Sequence, residues 1–148
     1  MSPDALFQLA NTVALLGWAG LLATPLAPRL LPRLSALLVP GLLSLAYTGL
    51  ILAFWSGSQG GFDTLENVMI LFTQPEIVLA GWLHYLAFDL FVGAWEVRAG
   101  QRAGMPFWLV LPCLPLTFLF GPAGFVAFLI LRAAHQTVRP AMAGEVVS

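Results

Sequence analysis

The sequence predicts an all-α integral membrane protein, a polytopic helical bundle of about four transmembrane helices with one short amphipathic helix on the membrane surface. Three observations predict it. Of 148 residues, 59% are hydrophobic and only 9% are charged, with a mean hydropathy of +0.90. A water-soluble domain carries about a quarter of its residues as charges, so this chain could not build a solvated surface. The apolar residues fall in blocks comparable to the ~20-residue helix that crosses the hydrocarbon core. Short stretches rich in Pro, Gly and Arg separate the blocks.

Taken in order, the first span is expected over roughly Leu6–Ala23, stopped by Pro25 and Pro28. The second runs over roughly Leu34–Trp55 and ends at the turn-forming SGSQGG. The third covers roughly Glu76–Glu96, and the polar RAGQRAG follows it. The last block, Pro106–Ala134, is too long for one straight span and short for two. Pro112, Pro115 and Gly121-Pro122 interrupt it. A proline removes a backbone hydrogen bond and bends a helix, so the block is read as one long kinked helix, with two half-helices as the alternative. Residues 1–148 make a single membrane domain on this reading.

Between the second and third spans, Phe62, Leu65, Met69 and Phe72 recur at spacings of three and four, with Asp63, Glu66 and Asn67 opposite. That pattern suits an interfacial helix over roughly 62–73. Asp63-Thr-Leu-Glu66 has the form of a capping box with Asp63 as the cap, and Thr73-Gln-Pro-Glu76 has the form of another. Arg29 and Arg33 occupy the first connection, and Arg98 and Arg102 the third. By the positive-inside rule both face the cytoplasm. Arg132 and Arg139 dissent: they would sit outside unless the Pro-rich last block crosses twice.

Composition also narrows function. A net charge of −1 gives no reason to expect nucleic acid. The single Cys113 offers no disulfide, and no metal motif or Gly-rich phosphate loop appears, so neither metal nor cofactor is called for. All six basic residues are Arg in an Ala-, Leu-, Gly- and Pro-rich chain, a bias that suggests a bacterial source and its inner membrane. Gly17, Gly20, Gly81 and Gly93 would let helices approach closely.

The stretch GWLHYLAFDLFVGAWE, Gly81–Glu96, holds the chemistry. His84 and Asp89 lie near the middle of the third span, where an ionisable group costs about 2.5–3.5 kcal/mol on insertion scales. On a helix they stand roughly 140° apart around the axis and about 7.5 Å apart along it. A direct hydrogen bond between them is therefore not expected. Trp82, Tyr85, Asp89 and Glu96 form one stripe; His84, Phe88, Phe91 and Trp95 form another. Polar partners available in the other spans are Asn11, Thr12, Ser44, Tyr47, Thr48 and Thr117. Interhelical hydrogen bonding, averaging about 0.6 kcal/mol, competes with a functional reading of His84 and Asp89. Glu96 and Arg98 are expected to form a solvated pair at the membrane edge.

The runs LFTQPEIVLAGWLHYLAFDLFVGAWE and LVLPCLPLTFLFGPAGFVAFLILR resemble the abscisic acid deficient four-like family of small membrane proteins, strongly over about Leu71–Arg132 and loosely over the first two spans. The plant founding member is regarded as a neoxanthin synthase. The resemblance implies isomerisation of an epoxide to an allenic alcohol without net redox change, which needs a general acid and a general base within reach of a lipid-soluble substrate such as a carotenoid. Asp89 and His84 have the right chemical types for catalysis, with Glu76 in reserve at the membrane surface. Trp82, Tyr85, Phe88 and Thr117 are the substrate-binding candidates. The bacterial look of the chain is a departure, since many bacteria make no violaxanthin, and it widens the implied substrate to other isoprenoid lipids or allows that the chemistry has been lost. A non-catalytic carotenoid-binding or photoprotective protein is the alternative. A small transporter is less favoured, for lack of an inverted repeat. The partners implied are membrane lipid and the lipid-soluble substrate; a homo-oligomer is left open.

Overall fold

In hydrocarbon no water satisfies backbone N–H and C=O groups, so a spanning chain must close its hydrogen bonds within helices or a closed barrel. The computed structural model of the protein describes residues 2–145, with side chains to residue 137, and every regular element among them is a helix. Three helices are long and apolar enough to cross a membrane: α1 (Pro3–Leu22), α2 (Leu31–Phe54, continued by a 3-10 turn) and, after the short α3 (Leu65–Leu71), α4 (Pro75–Arg102). The last block divides into α5 (Phe107–Val110), α6 (Cys113–Phe120) and α7 (Pro122–Glu145). Leucines such as Leu45 and Leu52 are 72% and 80% exposed, one of many large apolar side chains on the outer faces of the bundle. Such a surface belongs in lipid, and the chain is an integral membrane protein.

Helix starts follow local chemistry. Ser2 Oγ accepts from Ala5 N at the head of α1, where Pro3 and Asp4 suit the first turn. At α3 the cap is Thr64, not the expected Asp63: Thr64 Oγ1 accepts from Asn67 N, while the Asp63 carboxylate accepts from Asn67 Nδ2 at 2.9 Å. That bond holds the Asp63 carboxyl below its usual value of 3.8. The expected second box does not form either. Thr73 Oγ1 donates back to Ile70 O, and α4 starts from Gln74 without a side-chain cap but with Pro75 in its first turn. α3 is shorter than the predicted 62–73, yet its apolar face is as expected: Phe62, Leu65 and Met69 are exposed while Leu71 is buried.

α4 is the axis of the bundle. α1 lies parallel to it, Phe7 meeting Trp82 and Trp18 meeting Gly93. α2 lies antiparallel, Tyr47 meeting His84 near one end and Pro40 sharing a groove with Phe91 further along. The predicted small residues carry this packing. A Cβ on Gly93 would sit 2.7 Å from the Trp18 ring, and Ser35 Oγ donates to Gly17 O at 2.8 Å.

The last block is not the single kinked helix expected. α5 and α6 run back along α4 from its C-terminal end: Val110 packs on Gly100, Thr117 meets Glu96, and the end of α6 reaches Tyr85. At Gly121 the chain reverses with φ +38 and ψ −92, a conformation that favours glycine. α7 then retraces the path, Phe125 and Phe128 both lying 5.5 Å from Trp95 by ring centroids and Phe128 close to Gly100. The block is thus a helical hairpin, α5 and α6 turned back onto α7 at Gly121, and apolar arms this short predict that it re-enters on one side of the membrane. The apolar run Pro122–Leu131 gives ~15 Å of helix, half the hydrocarbon core. Arg132, one turn past Phe128, therefore joins Arg29, Arg33, Arg98 and Arg102 at one end of the bundle, and its dissent disappears. The Arg139 side chain lies outside the described residues.

Candidate functional site

The apex of the hairpin abuts the middle of α4, and that junction gathers the polar groups. The last carbonyls of a helix have no intrahelical donor, and in hydrocarbon no water replaces one. Tyr85 serves as that donor: its hydroxyl lies 3.0 Å from both Phe118 O and Leu119 O, in the final turn of α6. One turn along α4, the Asp89 carboxyl lies beside the Tyr85 hydroxyl and against Gly121, where an added Cβ would stand 2.6 Å from Asp89 Oδ1. Asp89 is half-buried, and its Oδ2 is buried with no hydrogen-bond partner.

Two turns further, Glu96 is 0% exposed. Its Oε1 accepts from Thr117 Oγ1 at 2.8 Å, and its Oε2 has no partner. The expected solvated pair with Arg98 is therefore corrected. α4 continues to Arg102, so Glu96 lies inside the span, and Arg98 turns away to donate from Nε to Ala94 O. The predicted stripe of Tyr85, Asp89 and Glu96 is the face that receives the hairpin. The importance of Glu96 escaped the sequence reading, although its place on that stripe was the available signal.

The other named residues do not converge there. His84 is exposed on the α2 side of α4, its ring 4.5 Å from Phe88 and 6.0 Å from Tyr47 by centroids. It opens on a groove of about 510 Å³ walled by Tyr47, Trp55, Phe62, Leu71 and Phe72. Phe88 faces a smaller groove with Pro40 and Ser44. Glu76 sits in the first turn of α4, ~20 Å along the axis from Asp89. Trp82 stacks on Tyr85, contacts Phe7 and donates from Nε1 to Asn11 Oδ1 at 3.2 Å. Thr117, 0% exposed, is committed to Glu96 rather than open to a ligand. Of the anticipated polar partners, Asn11, Tyr47 and Thr117 meet α4; Thr12 and Thr48 bond to carbonyls of their own helices.

A strip of Phe7, Trp82, Tyr85 and Asp89 thus runs along α4, with two aromatic rings at one end and a carboxyl at the other. A family model described as ABA DEFICIENT 4-like matches residues 5–128. The chain belongs to this ABA DEFICIENT 4-like family. The match runs from the first turn of α1 through about the first two turns of α7, and so takes in the whole junction between hairpin and α4. No curated protein and no solved structure matches the chain.

Proposed function

We propose that this family member is a membrane-embedded isomerase that moves protons on a carotenoid or related isoprenoid lipid, without redox change. The observation that carries the reading is the juxtaposition of Asp89, with a buried unpartnered oxygen, and the Tyr85 hydroxyl at a helix break inside the bilayer. An ionisable side chain at that depth marks function by default. In an epoxide-to-allene isomerisation, the Asp89 carboxylate removes the vinylic proton next to the epoxide. The C–H electrons form the new double bond, the adjacent C–O bond breaks, and the oxygen takes the Tyr85 proton. Transfer of the proton from Asp89 to Tyr85 restores the site, so atoms and electrons balance. Trp82 and Phe7 offer flat apolar surface to a polyene. The substrate enters sideways from lipid, and the arginine-rich end faces the cytoplasm of a bacterial inner membrane.

The aromatic groove around His84 favours a second reading, a carotenoid-binding or photoprotective protein, because it offers rings without a nearby acid. Pigment chromatography with mass detection separates the two, using membranes of a violaxanthin-making host. Wild type is expected to yield an isomer of unchanged mass that is absent with Asp89→Asn and Tyr85→Phe and retained with His84→Gln. Unchanged pigments despite well-expressed wild type would remove neoxanthin-type chemistry and leave binding.

A further inference from the structure

Arg29 and Arg33 come from the start of α2 and the turn before it, and Arg98 and Arg102 from the last turns of α4. Arg98 and Arg102, four residues apart within α4, lie on one flank of that helix. The four guanidinium groups line a single concavity of about 350 Å³ with Gln101, Pro28 and Pro32. Gln101 Nε2 donates to Pro28 O at 3.1 Å and pins the connection against α4. Arg98 lies within the fields of Arg102 and Arg33. No carboxylate among the described residues pairs with any of them: Asp4, Asp63, Glu66 and Glu76 belong to the opposite end, and Glu96 is enclosed with Thr117. The positive-inside rule accounts for arginines on one side of a membrane. It does not account for four of them converging from two elements on one hollow with no counter-charge.

We propose that this concavity holds the phosphate of an anionic phospholipid. Guanidinium forks match phosphate oxygens two at a time, and basic hollows between helices at the cytoplasmic face recognise such headgroups. A second observation selects a lipid over free phosphate. The concavity shares Pro28 and Gln101 with an apolar groove of about 120 Å³ that continues past Val97, Phe107 and Val110 into the span. A headgroup on the arginines would lay the start of an acyl chain in that groove.

The full chain in neutral detergent would be titrated with phosphatidylglycerol, phosphatidylcholine or inorganic phosphate, reading bound phospholipid by native mass spectrometry and the thermal midpoint. Phosphatidylglycerol is expected to bind and raise the midpoint, with little effect from phosphatidylcholine or phosphate. Arg33→Gln/Arg98→Gln should weaken phosphatidylglycerol roughly thirtyfold, from what each arginine contributes near an anionic surface. Arg132→Gln, at the same end but outside the concavity, should bind as wild type does, and Arg33→Lys/Arg98→Lys should fall between. Equal binding of the two lipids, or equal loss with Arg132→Gln, would overturn the site. A midpoint shift by phosphate alone as large as that by phosphatidylglycerol would overturn the lipid assignment. Should the double Gln variant not fold, the Lys variant carries the test, and unreduced selectivity in it would overturn the role of the guanidinium forks.

Discussion

Replacing Thr117 with Val tests whether the enclosed Glu96 holds the hairpin to α4. The change keeps the shape of the side chain and removes one hydroxyl. Glu96 then has no donor: Thr117 Oγ1 at 2.8 Å is its sole hydrogen-bond partner among the described residues, and Oε2 already lacks one. Orphaning a buried polar group costs about 1–3 kcal/mol. Interhelical bonds in membranes average about 0.6 kcal/mol, with a maximum near 1.7, because the unfolded reference also finds partners. With Glu96 at 0% exposure, the expected loss for Thr117→Val is ~1.5 kcal/mol, at the upper membrane value. Glu96→Leu should cost less, since Thr117 can turn to a carbonyl of its own helix as Thr12 and Thr48 do. The double variant replaces both partners with apolar groups and should lie near wild type. Equilibrium unfolding in mixed micelles, followed by circular dichroism, gives the coupling of the cycle, expected at about 1 kcal/mol or more. A Thr117→Val protein as stable as wild type would mean that water or another donor reaches Glu96, and the dry junction would be wrong.

Two further perturbations probe the hairpin. In a Cys113→Ser background, Arg102→Cys and His135→Cys should react with an impermeant maleimide from the same side of the membrane and Ser58→Cys from the other; labelling of positions 102 and 135 from opposite sides would refute re-entrance. Gly121→Ala should destabilise by about 1–3 kcal/mol for a side chain at positive φ, and should also depress any activity that needs Asp89, because its Cβ would stand 2.6 Å from Asp89 Oδ1. Unfolding titration and the pigment assay read the two effects separately, and an Ala variant unchanged in both would remove the strained apex.

The three long helices were legible because length and hydropathy decide them, and the stripe of Tyr85, Asp89 and Glu96 because helical periodicity does. Depth was less legible. Arg98 and the polar run after it suggested that the span ends at Glu96, but a long arginine can sit inside a helix that continues to Arg102. Nothing in Gly121-Pro122 distinguishes a kink from a reversal. That choice is made by contacts far away in sequence, between Tyr85 and the α6 carbonyls and between Glu96 and Thr117. The cap at Thr64 instead of Asp63 is a one-residue shift between two competent side chains, one of which found Asn67 instead. His84 and Asp89 were correctly expected not to bond, but which helix each would face was not in the pattern.

The Tyr85 bond to the end of α6 also bears on biogenesis. The long helices can partition into the bilayer on hydropathy as they emerge from the ribosome. The hairpin cannot: the apolar run of each arm is too short to span, and its apex would bring free carbonyls into hydrocarbon. It has somewhere to dock only after α4 is in place with Tyr85 presented, so insertion of this chain is a two-stage event. The first stage is directed by the translocation machinery, and the second is templated by the protein itself.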